Sequence, residues 1–174
     1  MLLIKILPII FLLIIFVQDM CRRSVHWFWF PLLAVALVAL RYIESSTAFE
    51  ILISAAINIA FLFAQLLLVT IYFSVKQGRL INITKGLLGW GDILLIVSIA
   101  FYLSSINFIF FYIISLVVVL LGWLTYIKFI SIIQQQIPLA GLQAILFALV
   151  LITSYWNSTL TFTNNGLLIE LLSR

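Results

Sequence analysis

Only two aspartates occur among the 174 residues, Asp19 and Asp92. Two carboxyl groups brought together in a partly dry cleft cannot both ionise easily, so the pair shares a proton. The ionised member can then take a proton from water while its protonated neighbour polarises a peptide carbonyl. That is aspartic-protease chemistry, and it needs no metal and no cofactor. Plainer roles compete at both positions. Asp19 stands near Arg22 and Arg23 and suits an interfacial ion pair. Asp92 suits the start of a helix, where a carboxylate favours the positive end of the dipole. A single cysteine, Cys21, and a single histidine, His26, exclude an intrachain disulfide and a multi-cysteine zinc site and leave little to hold a transition metal.

The elements that must position these carboxyls follow from composition. Hydrophobic residues make up 66% of the chain and charged residues 8%, with a mean hydropathy of +1.35. A soluble domain carries roughly a quarter charged residues, so this surface must face lipid. Continuous apolar runs, without the period-2 alternation of a closed barrel, predict helices. A hydrocarbon core of about 30 Å takes around 20 apolar residues per span. The runs predict an all-α, polytopic membrane bundle of about six transmembrane helices, near residues 2–17, 27–43, 49–75, 86–103, 108–127 and 137–156. The first run has only Lys5 before its apolar stretch and no small-residue cleavage site, so it reads as a retained helix rather than a signal peptide.

Charge then predicts orientation. Arg22, Arg23, Lys76, Arg79, Lys85 and Lys128 fall in the first, third and fifth turns, against Lys5, Arg41 and Arg174 on the other side. The positive-inside rule therefore expects those turns in the cytoplasm, both termini outside, and both aspartates at the cytoplasmic boundary of the cell membrane. The net charge of +4 is explained by orientation; the basic residues are too few and too dispersed to bind nucleic acid. Residues 157–174 read as a short extracytoplasmic tail. Arg22 and Arg23 read as topology anchors, and Gln134, Gln135 and Gln136 as a polar turn. The triplets starting at Asn82 and Asn157 match glycosylation acceptors, a pattern that short sequences produce by chance.

The local sequence around each aspartate adds more. Asp92 closes Gly89-Trp90-Gly91-Asp92, and glycines just before a carboxylate permit unusual backbone angles and the close approach of another chain. This segment resembles the signature of the GxGD intramembrane aspartyl proteases, above all the type IV prepilin peptidases and preflagellin peptidases. Asp19-Met-Cys-Arg-Arg23-Ser-Val25 is similar to that family's first motif, an aspartate at the end of the first helix with a basic residue four positions on and an aliphatic two beyond. Ile137-Pro138-Leu139-Ala140-Gly141 resembles its proline-and-glycine start of the last helix. The resemblance covers the whole chain as one transmembrane peptidase-like domain, residues 1–174. It implies catalytic roles for Asp19 and Asp92, site shaping by Gly89 and Gly91, and a single-helix prepilin-like precursor as substrate, cleaved behind its leader at the cytoplasmic face. The cytoplasmic domain of the larger prepilin peptidases is not present in these residues, so no amino-methylation is implied. Two departures stand out: His26 and Trp27 where the family often has proline or serine and then asparagine, and Leu94 where it has lysine.

Around the pair, Arg23 and His26 are candidate neighbours of Asp19, although His26 amid Trp27, Phe28 and Trp29 also suits an aromatic belt. Glu50, Ser54, Asn58 and Gln65 recur near one face of the third helix, as glue between helices or as the lining of a path. Two rival readings remain. The residue at Leu94 suggests an inactive relative acting as a membrane assembly scaffold, and the polar face of the third helix suggests a small transporter.

Overall fold

The computed structural model describes residues 2–44, 47–78, 89–130, 138–156 and 162–163. Six helices follow one another: α1 (Leu2–Arg22), α2 (Trp29–Ile43), α3 (Ala48–Gln77), α4 (Trp90–Ala100), α5 (Ser105–Ile130) and α6 (Leu139–Trp156). The architecture is the expected all-helical bundle. Arg79, Lys85, the glutamines 134–136, both glycosylation-like triplets and the tail, apart from Phe162 and Thr163, lie outside the described residues.

Helix ends follow local chemistry. With no breaker after residue 17, α1 continues to Arg22 and carries Asp19 in its last turns, beyond the expected end of the first span. It stops where Arg23 turns left-handed (φ 50°) and its amide returns to the Asp19 carbonyl. Thr47 caps α3 by accepting the Glu50 amide, while the Glu50 carboxylate accepts the Thr47 amide in return, a reciprocal capping box. At the other end of α3, Gly78 takes the left-handed conformation (φ 64°) that glycine adopts without steric cost.

Four helices, α1, α3, α5 and α6, are long and apolar enough to cross a membrane. Large apolar side chains such as Val35, Leu52, Phe63, Leu68 and Val75 are exposed around the bundle. So much exposed apolar surface suits a lipid solvent and not water, and marks a membrane protein. The remaining two helices are shorter than six full spans would require: α2 has 15 residues and α4 has 11. At 1.5 Å per residue α4 rises about 16 Å, roughly half of a hydrocarbon core.

The short α4 sits at the centre, against α2, α3, α5 and α6, while α1 pairs most extensively with α6. Its Leu95 and Ile99 pack in one core with Leu12 and Ile15 of α1, Leu33 and Leu37 of α2, and Phe147 and Leu151 of α6. Because α4 is too short to reach both membrane surfaces, at least one of its ends lies within the thickness spanned by its longer neighbours. The unpaired backbone groups at its two ends meet polar side chains, which creates two polar regions at opposite ends of one helix.

Candidate active site

The first region forms where the end of α1 and the start of α4 meet the start of α6. Asp19 is 8% exposed, and its Oδ2 accepts the Gly141 amide at 2.6 Å. The Arg23 guanidinium lies within electrostatic reach of the same carboxyl. Asp92 occupies the third position of α4, where its Oδ2 reaches back to accept the Gly89 amide at 3.1 Å. It also interacts with the Ala140 amide and with the charge of Asp19. Two residues 73 positions apart in sequence thus address consecutive amides of the first turn of α6. The two carboxyls lie close enough for the charge of Asp19 to bear on Asp92. The first amides of a helix have no intrahelical acceptor and carry the positive end of its dipole, which makes them a natural seat for carboxylates.

The plainer role foreseen for Asp92 is therefore realised alongside its convergence on Asp19: one carboxyl both caps α4 and faces the second aspartate. The ion-pair role foreseen for Asp19 is realised in part, since its closest contact is a backbone amide and Arg23 acts at longer range. Such a pair has the components of a general acid and base beside a set of fixed amide donors.

The glycines divide. A Cβ on Gly89 would stand 3.0 Å from the Asp92 carboxylate oxygen, so this position shapes the carboxyl's seat. A Cβ on Gly91 would meet only Phe30 Cζ, at an ordinary 3.6 Å, so the packing of α4 on α2 leaves room for a side chain there. The glycine with the most close contacts is one that sequence reasoning quoted within a motif but did not count among the site residues. A Cβ on Gly141 would meet the Asp19 Cβ and Oδ2 at 3.1 Å and the Phe16 carbonyl at 3.3 Å. Its signal was the Pro138-Leu139-Ala140-Gly141 run, but only the contact with α1 explains why a side chain is excluded there.

His26, a candidate neighbour of Asp19, is exposed and attached elsewhere. Its amide donates to Gln18 Oε1 at 3.3 Å, and its ring lies 5.7 Å from that of Phe28. Cys21 is exposed. Among the described residues, no group of three or more His, Cys, Asp or Glu side chains is arranged to hold a metal ion.

Two cavities lie near this end of the bundle, and Asp92 lines the smaller. The larger, about 660 Å³, lies between α1, α5 and α6 and is lined by Met20, Arg23, Trp123, Tyr126 and Leu142 among others. The smaller, about 50 Å³, lies behind Asp92 and reaches Gln143 on α6.

The opposite polar region closes the other end of α4. Arg41 is 2% exposed, and its guanidinium donates to the carbonyls of Phe101 and Leu103 and to Ser54 Oγ at 3.2, 3.5 and 3.0 Å. Asn58, 1% exposed, donates to the carbonyls of Ala100 and Leu103 at 2.9 and 3.1 Å. Tyr102 donates to Glu44 at 3.1 Å. Two of the four polar residues on the α3 face, Ser54 and Asn58, are thus fastenings for α4 and its cap, and Glu50 belongs to the capping box. No family model matches the chain, and neither the curated proteins nor the solved structures contain a match to it.

Proposed function

We propose that this chain is a membrane-embedded aspartic endopeptidase that removes short leaders from single-helix, prepilin-like precursors at the cytoplasmic face of the cell membrane. The observation that carries the reading is the meeting of Asp19 and Asp92 at consecutive amides of α6. One carboxylate takes a proton from water as the other gives one to the scissile carbonyl, and the two exchange roles as the tetrahedral intermediate collapses. The pair titrates as a unit, so neither aspartate is assigned as acid or base alone. Gly89 holds the Asp92 seat open, and Gly141 lets α1 bring Asp19 against α6.

The larger cavity beside Arg23 and Trp123 supplies an apolar trough next to Asp19, suited to the stem of a substrate that approaches sideways through the bilayer. The cytoplasmic assignment follows from the distribution of basic residues between alternate turns. The reaction draws on carboxyl groups and water, with no cofactor.

The test is cleavage of a pilin-type precursor in proteoliposomes by the wild type and by Asp19→Asn and Asp92→Asn. Each variant should remain folded and lose cleavage. Retained cleavage in either one sinks the mechanism.

A further inference from the structure

The small cavity behind Asp92 contains an unusual pairing of features. It lies between α3, α4, α5 and α6, with Leu62, Ile96 and Leu116 forming apolar walls and Asp92, Gln143 and Tyr112 bringing polar groups. Gln143 is 1% exposed, one helical turn beyond Leu139 and Ala140 on α6. That spacing places its amide on the same helix face, one turn deeper into the bundle than the carboxyl pair.

The orientation of this amide is set by its neighbour. Ser115 Oγ donates its only proton to the Tyr112 carbonyl at 3.0 Å, so toward Gln143 the hydroxyl can only accept. Gln143 accordingly turns Nε2 to Ser115 Oγ at 3.3 Å, and its Oε1 points the other way. That oxygen is buried and has no donor among the described residues. Buried acceptors are rarely left without a partner, and in a polar site with enough room the usual partner is water. A cavity of about 50 Å³ exceeds the roughly 10–15 Å³ that one water needs. On its other side lies the Asp92 carboxyl, one oxygen of which is already engaged by the Gly89 amide.

We infer that this cavity is a water site in which Gln143 Oε1 holds a water against Asp92, making Gln143 a positioning residue for that carboxyl. The water donates one proton to the amide oxygen and the other to the carboxyl, so the space between the helices supplies water to Asp92 at a cavity that Asp19 does not line. Treating this water as the source of the hydrolytic one rests on the peptidase reading; the site itself does not.

The experiment measures Asp92 without requiring cleavage. A hydrophobic carbodiimide modifies protonated carboxyls from the apolar phase, and peptide mass spectrometry reads Asp92 separately from Asp19. Labelling is followed against pH in proteoliposomes for the wild type, Gln143→Leu, Gln143→Asn and Leu116→Phe. The groups facing Asp92 that also respond to pH or carry charge are Asp19 from α1, with Arg23 beside it, and Tyr112 from α5; all are retained in every variant. A water that donates to the carboxylate stabilises the charged form. Gln143→Leu removes the water's anchor and Leu116→Phe fills its space, so both should move the labelling midpoint upward by about one pH unit. Gln143→Asn, which keeps an amide, should recover much of the shift. An unchanged midpoint in folded Gln143→Leu and Leu116→Phe overturns the inference. A shift in Gln143→Leu alone also overturns it, since the amide dipole would then act without water. If the midpoints move as expected but the wild type cleaves no precursor, the water site stands and the peptidase reading falls.

Discussion

The two ends of α4 meet the same physical requirement with opposite chemistry. At its start, unpaired amides and a positive dipole end are answered by a carboxylate, Asp92, and the same logic at the start of α6 draws in Asp19. At its finish, unpaired carbonyls and a negative dipole end are answered by a cation, Arg41, with Asn58. The finish is closed: the carbonyls of Ala100, Phe101 and Leu103 all receive donors from buried side chains. The start is open. Asp92 is only partly buried, it lines a cavity, and carboxylates have more lone pairs than the amides around them can fill. Buried donors committed to backbone carbonyls hold the fold, even with Arg41 Nε and Asn58 Oδ1 left without a partner among the described residues, whereas a carboxyl with spare valence beside a cavity is available for chemistry.

That contrast predicts which changes damage activity and which damage stability. The largest effect belongs to the open end: Asp19→Asn or Asp92→Asn should reduce cleavage by about 10³-fold or more with little change in melting temperature. Next is Gly141→Ala, whose methyl would stand 3.1 Å from Asp19 and must displace it by a few tenths of an ångström. Cleavage should fall by about 10- to 100-fold, because small misplacements of a reacting group are costly. A wild-type rate in this variant would show that α1 and α6 can separate without consequence.

The closed end should behave in the reverse manner. Arg41→Met removes three hydrogen bonds and strands the Phe101 carbonyl, while Leu103 keeps its bond from Asn58. A loss of about 3 kcal/mol in denaturant unfolding is expected, with the carbodiimide profile of Asp92 unchanged in the folded fraction. If the profile moved, the two ends would be coupled through α4 and the division drawn above would fail.

The smallest effect concerns Glu44, at the turn after α2. Burial raises its carboxyl above the ordinary range, against the opposing influence of the Tyr102 hydroxyl and the Lys5 and Arg41 charges. Since the folded value is the higher one, its stabilising contribution is complete below the ordinary carboxylate pKa and is lost as pH rises through the raised value. Glu44→Gln, which cannot ionise, should therefore melt slightly above the wild type at neutral pH. The gap should close by about pH 4, where both side chains are neutral.

Much of this was legible in the chain because lipid imposes strong, local rules. Apolar runs foretold six helices, and the polar positions on α3 were readable as a face, since four-residue spacing lines up on a helix. The shortness of α4 was not legible. Residues 101–103 are as apolar as a helix end within lipid would be, yet the carbonyls of Phe101 and Leu103 turn out toward Arg41 and Asn58, residues 45 to 62 positions away. Arg41 accordingly looked like an orienting charge and proved to be a buried cap. His26 was close to Asp19 in sequence, but the turn after Arg23 carries it to Gln18 and Phe28 instead.

Composition and periodicity determined by themselves that the chain is helical and suited to lipid, because burial of apolar side chains and pairing of backbone groups act over one or two turns. They also singled out Asp19 and Asp92, since ionisable groups at the ends of apolar runs are costly to keep without a use. Only the tertiary structure decided that the two converge on α6, that Gly141 presses closely on Asp19, and that Gln143 and Asp92 line one cavity. Those facts depend on how separate helices pack, and the same helical faces permit many packings until side-chain shape and unpaired polar groups select one.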